Sequence, residues 1–311
     1  MLDNWFQTEE CYNFYKSLSF LEAFKYEVIR DGEVKGRIVG YIQKDGGPLK
    51  QFFSRRAIVN GGPMLARDIT DDEVETLLNE CRYKLKGKAI YIETRNFEDY
   101  SNHKSVFGQC GWKYEPHYDF HIDTSSLKIV ESNLGKSRKR DIRTSLRDGA
   151  TYGRAVSLNE VKELYQILEI LYQMKVKTPL FPYEFFEKLY NTPCGKVFVV
   201  RFGGKIVGGT VCVFGKDTVY EWFACGENGI GKSIFPSTLS TYAGISYAAG
   251  QGYKRFDMMG AGAPGDGGYG VRDFKAKFGG KLVEYGRFKC VLNPLLYRIG
   301  MLGVKILKGI K

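Results

Sequence analysis

Gly226-Glu-Asn-Gly229-Ile-Gly231-Lys232-Ser233 has the residue types and spacing of a turn that holds phosphate. It satisfies GxxxxGK[ST] between a predicted strand, 219–225, and a predicted helix, 235–249. In that context backbone N–H groups and the positive end of a helix dipole face an anion. Triphosphate hydrolysis would need further parallel β-α units after the turn, and too little chain follows Ser233 to supply them. The segment therefore reads either as a phosphate holder without hydrolysis or as an ordinary glycine turn beside a lysine. Gly260-Ala-Gly262-Ala-Pro-Gly265 formally matches GxGxxG, but Pro264 and the glycines after it forbid the helix a dinucleotide site needs. It reads as a mobile loop beside a pocket. In Tyr269-Gly-Val-Arg272-Asp-Phe274-Lys275-Ala-Lys277-Phe278, aromatic and basic residues alternate. Such a run can stack a base or sugar while pairing phosphates, or it can be a strand edge with solvated lysines. The densest basic run is Lys136–Arg147. As a helix it would place Lys136, Arg140, Arg143 and Arg147 on one stripe, a solvated face or a contact for a polyanion or a pyrophosphate.

These segments sit in a chain of 311 residues, long enough for two ordinary domains. Lys and Arg exceed Asp and Glu by 46 to 35, a net +11, which favours polyanionic partners. No apolar run has the length of a membrane span, and the start lacks a secretory signal's basic and apolar regions. The seven cysteines are scattered, with no CxxC pair, and read as reduced thiols of a cytoplasmic protein. His103, His117 and His121 show no metal-ligand spacing with them, so no metal is expected. No GxSxG elbow and no cysteine–histidine pairing point to a covalent intermediate.

Two similar series of elements are predicted. The first has a helix over 11–24, strands over 25–30 and 36–44 around the Asp31-Gly32 turn, and a helix over 71–84. A strand over 89–94, a helix over 100–109 and a strand over 118–123 complete it. The second has helices over 159–173 and 182–190, strands over 197–202, 208–214 and 219–225, the helix over 235–249, and strands over 254–259 and 283–291. One architecture used twice follows: an α/β (α+β) chain with domains over 1–125 and 126–291. The tail, 292–311, places Leu292, Leu295, Leu296, Ile299, Leu302 and Ile306 on one helical face, opposite Arg298, Lys305 and Lys308. Docking on the first domain is the expectation; a peripheral contact with an anionic membrane is the alternative.

Several motifs together resemble the FemABX peptidoglycan-bridge aminoacyltransferases. They are Ile58-Val-Asn-Gly-Gly-Pro63; Gly111-Trp112 with Phe120-His-Ile-Asp123 and Arg140-Asp-Ile-Arg143; and Arg255-Phe-Asp257-Met-Met-Gly260 with Phe274-Lys275 and Phe278-Gly279. The resemblance runs in family order through most of the chain. It implies two tandem GNAT-like acyltransferase domains, each a mixed sheet flanked by helices. It also implies a transferase of cell-wall synthesis that moves an amino acid from aminoacyl-tRNA, a co-substrate rather than a bound cofactor, onto an amine of a peptidoglycan precursor's stem peptide, nucleotide- or lipid-linked. The chain lacks room for the helical hairpin some relatives insert. By resemblance Phe274 and Lys275 handle the tRNA acceptor end, with Phe274 packed on the lysine or nucleotide, and Asp257 is a signature position that could cap the next loop. Acyl-coenzyme A is the alternative donor, its pyrophosphate held by Gly229, Gly231, Lys232 and Ser233. The location implied is the cytoplasm, at the inner membrane face if the acceptor is lipid-linked.

Overall fold

The computed structural model describes residues 4–309 except 45–46, 177–178, 228, 232 and 267–269. The chain divides into two compact units, Met1–His117 with Glu284–Lys311, and Tyr118–Val283.

In the first unit the elements are α1 (Glu9–Ser17), β1 (Glu22–Arg30), β2 (Glu33–Gln43), α2 (Pro48–Ser54), β3 (Arg56–Gly61), β4 (Met64–Leu65), α3 (Asp71–Leu85), β5 (Tyr91–Asn96), α4 (Lys104–Gln109) and β6 (Lys113–Glu115). The second unit holds β7 (Tyr118–Asp123), α5 (Leu127–Asn133), α6 (Lys136–Arg147), β8 (Thr151–Arg154), α7 (Leu158–Leu171) and α8 (Tyr183–Tyr190). It continues with β9 (Gly195–Phe202), β10 (Lys205–Phe214), β11 (Thr218–Gly226), α9 (Pro236–Gly250), β12 (Arg255–Asp257), α10 (Gly270–Ala276) and β13 (Lys281–Glu284). The chain then returns to the first unit as β14 (Arg287–Val291) and α11 (Pro294–Gly309).

Each unit is built on one mixed sheet. The first runs β1-β2-β3-β5-β14-β6 with β4 on β2, the second β13-β7-β12-β11-β10-β9-β8. In each, a parallel pair is joined through a helix: β3 to β5 by α3, and β11 to β12 by α9. Parallel neighbours need such a crossover, so the repetition seen in the sequence is a repetition of this unit. Local chemistry fixes the pieces. Arg30 pairs with Glu33 across a two-residue turn in which Asp31 and Gly32 both have positive φ, the hairpin geometry that Asp-Gly favours. At the start of α3, Thr70 and Glu73 cap each other's backbone, while Val74, Leu77, Leu78 and Cys81 are buried beneath it. None of the seven cysteines is in a disulfide, and all are buried. Among the described residues no helix is long and apolar enough to cross a membrane.

Three expectations fail in ways with a physical reason. The helix expected over 11–24 stops at Ser17, because Glu22 onward pairs with β2 as a strand. The single strand expected over 283–291 is two, broken at Tyr285-Gly286, where Gly286 has φ 63°. β13 belongs to the second sheet, whereas β14 lies between β5 and β6 in the first. The expected boundary at Ser125 moves for a matching reason: Tyr118–Asp123 pairs with β12, so the second unit begins at Tyr118. In the first unit α11 packs against α2, and the Tyr297 ring meets that of Tyr91 at 5.5 Å.

Candidate functional site

A cavity of about 400 Å³ opens in the second unit where β11 parts from β12. Their parallel register covers only Thr218–Tyr220 against Arg255–Asp257, after which β11 continues to Gly226. The sequence drives them apart at both strands. On β11, Val211 of β10 pairs with Phe223 and Cys212 with Glu221, so Trp222 is an extra residue, and such a bulge bends and twists its strand. On β12 the chain turns off at Met259, which takes φ 51°, its N–H donating to Asp257 Oδ1 at 2.8 Å. Asp257 thus caps the loop that follows it. The end of β11 lies against the start of α9. A Cβ on Gly226 would stand 2.3 Å from the Ser237 backbone nitrogen, so that approach requires glycine. The cavity wall therefore carries exposed strand edge, Ser237 at a helix N-terminus, and Phe274 and Lys275 from α10.

Lys275 reaches this wall from a short helix and donates to the carbonyl oxygens of Met258 and, at 2.7 Å, Gly260. A lysine has three donors, and the third is left for the cavity. Three carboxyls are buried around it: Glu221 on the wall, and Asp119 and Asp257 behind. Burial pushes the Glu221 carboxyl above the usual range, with the Lys275 charge pulling the other way. Asp119 is pushed well up, first by burial and then by the charge of Asp257, to which it is hydrogen-bonded. Burial also raises Asp257, offset by that hydrogen bond. Both carboxyls are thus pushed toward the protonated form, Asp119 the more, and His121 Nε2 stands 3.2 Å from Asp257 Oδ2. Asp119, His121 and Asp257 are the one group among the described residues whose ligand atoms cluster as a metal's would, all within 4.8 Å.

The raised aspartates have a consequence for stability. Folded, they hold protons more tightly than unfolded, so their contribution is present below the ordinary aspartate range and is lost as pH rises through the raised values. An Asp119→Asn chain keeps a neutral side chain of the same shape. Its unfolding free energy, measured with urea at successive pH values, is expected to decline less from acid to neutral pH than the native chain's. An identical slope would remove the raised proton affinity of Asp119.

Phe274, which lines the cavity, is clamped from α6. The Arg138 guanidinium lies over its ring at 4.3 Å, and its edge meets the Phe278 ring at 5.3 Å. Arg138 also donates to Phe274 O and to Asp141 Oδ2, both at 3.3 Å. This clamp, which holds α10 and hence Lys275 to α6, escapes the sequence reading. Its signal was present as the opposite stripe of α6, where Arg138, Asp141, Ile142 and Ser145 are buried. The Gly260–Gly265 loop, expected to be mobile, is tied down: Arg272 donates to Ala261 O at 2.9 Å and Ala263 O at 2.6 Å.

Among the described residues, Lys136, Arg140, Arg143, Arg147, Gly229, Gly231 and Ser233 do not line the cavity. Lys136, Arg140, Arg143 and Arg147 form the expected stripe and are exposed, Arg140 donating to Asp141 Oδ1 at 2.9 Å. Gly229 and Gly231 have positive φ in the loop before α9. Lys232 lies outside the described residues. The helix does not begin at Ser233, as a phosphate loop's would, but three residues later with Pro236 at its first position. Ser233 is bonded to α6 instead, its carbonyl accepting from Ser145 Oγ at 3.4 Å.

Residues 136–275 match the family model of the acetyltransferase (GNAT) domain. No curated protein matches the chain by sequence. Among solved structures, FemX superposes with a TM-score of 0.71 at 15% identity, over 95% of this chain and 94% of that one. The C-terminal domain of a putative lysylphosphatidylglycerol synthetase from Agrobacterium fabrum gives 0.60 at 14%, over 93% and 88%. A tandem GNAT protein from the clavulanic acid biosynthesis pathway gives 0.54 at 11%, over 89% and 85%. At such identities the likeness is one of fold, and that fold is the FemX-like tandem of GNAT domains.

Proposed function

We propose that this chain, a FemX-like protein of tandem GNAT fold, is an acyltransferase that moves an aminoacyl group from aminoacyl-tRNA onto an amine of a peptidoglycan precursor's stem peptide. The observation that carries the reading is the cavity between β11 and β12, with an ammonium and a buried carboxyl on one wall. The acyl donor would lie along the free edge of β11. Glu221 takes a proton from the acceptor amine, which a raised affinity for protons suits it to do. The nitrogen then attacks the ester carbonyl, the C–N bond forms, the C–O bond breaks, and the departing ribose hydroxyl carries away a proton. Lys275, anchored by Met258 O and Gly260 O, turns its third N–H toward the negative charge that develops. The exposed stripe of α6, with Arg140 and Arg143, would meet the tRNA backbone. Charged tRNA places the reaction in the cytoplasm.

A second reading, with acyl-coenzyme A as donor, is favoured by the acetyltransferase family model and by Ser237 at the cavity's helix N-terminus. Purified chain offered labelled aminoacyl-tRNA and labelled acetyl-coenzyme A together, with a muropeptide acceptor, decides between them. Transfer from the tRNA is expected. Binding of that tRNA should weaken steeply with salt, and the slope should flatten when Arg140 and Arg143 are changed to glutamine. Label arriving only from the thioester would overturn the first reading.

A further inference from the structure

The geometry points to α2 and α11 as a docking face for the surface of an anionic phospholipid bilayer. The expected single apolar stripe of α11 is split in the fold. Leu296, Tyr297 and Gly300 face the first unit, with Gly300 bringing the helix alongside the Phe53 carbonyl. Leu295, Ile299 and Leu302 recur at helical spacing on another face and stay exposed, at 69%, 43% and 59%. Phe52 of the neighbouring α2 is exposed as well, at 48%. Scattered exposed leucines mean little, but a row of them on a helix beside an exposed aromatic residue forms a patch.

Charge says what covers it. No aspartate or glutamate occurs in 46–67 or 285–311, the segments that hold these two helices, whereas the same segments hold ten lysines and arginines, Arg55 and Arg298 among them. A second copy docked through this face would bring the same cations together, whereas anionic headgroups complement them. A helix with an exposed apolar row and cations beside it in the sequence has the make-up of an element that lies in the headgroup region without crossing it. The inference is independent of the proposed chemistry.

The test sediments the full chain with unilamellar vesicles of phosphatidylglycerol and phosphatidylcholine in equal parts, and with vesicles of phosphatidylcholine alone. Binding to the anionic vesicles is expected to exceed the neutral case by about tenfold at low salt and to fall as salt rises. A triple variant, Leu295→Ser, Ile299→Ser and Leu302→Ser, should lose it, as should Arg298→Gln with Lys305→Gln and Lys308→Gln. Both variants should keep native turnover on a water-soluble acceptor, which separates this result from the fate of the proposed reaction. Equal binding to both vesicles, binding unchanged in the variants, or a dimer that the triple variant dissolves would each overturn the inference.

Discussion

A Lys275→Ala chain is expected to turn over its substrate about a hundred to a thousand times more slowly while keeping its fold. The size follows from the loss of one preorganised charged donor at developing negative charge, about 3–4 kcal/mol of transition-state stabilisation. Folding should survive because the lysine is not the only means of neutralising the acids around it. Without the ammonium, Asp119, Asp257 and Glu221 relieve their burial by holding protons more firmly, since its charge opposes the upward shift in each. Turnover should therefore fall in kcat, with an unfolding midpoint near that of the native chain. Lys275→Arg retains charge but replaces a compact ammonium with a planar fork, and partial activity is expected of it. Native turnover in Lys275→Ala would exclude the lysine from the chemistry.

Glu221→Gln should be costlier still near neutral pH. A well-placed general base contributes about a hundredfold to ten-thousandfold, and glutamine keeps the shape while removing that capacity. The carboxyl is buried, receives a hydrogen bond from Thr210 Oγ1 at 3.3 Å, and is lifted above the ordinary glutamate range. A base must be ionised to act, so kcat should fall as pH drops through the raised value, giving an acidic limb. In Glu221→Gln only the amine's own titration should remain, and the limb should move toward the pKa of the substrate. An unchanged profile in the variant would assign the proton to some other acceptor.

Much of the architecture could be read because its signals are local. The helical spacing of 71–84 announces α3, Asp31-Gly32 announces the β1–β2 turn, and Tyr118–Asp123 alternates as a strand should. What stayed hidden depends on which strands become neighbours. Residues 283–291 alternate well enough for one strand, and only pairing to partners far away in sequence reveals the break at Gly286. Asp119 and His121 share one face of β7, yet nothing local says that Asp257 will stand opposite His121. Glu221 looks like an ordinary polar residue in an apolar run; its burial comes from β11 lying inside the sheet. Lys275 and Phe274 were reached by resemblance, while Arg138, which positions them, was overshadowed by the exposed cations of its own helix.

The return of the chain to its first sheet constrains the order in which that sheet can be built. β14 sits between β5 and β6, joined to each by antiparallel register, and it is synthesised after every strand of the other unit. On the ribosome the inserted second unit can close upon itself while the earlier segments wait with β5 uncapped on that side. An interrupted translation product ending before Arg287 would expose this unpaired edge, making it a natural target for chaperones and proteases.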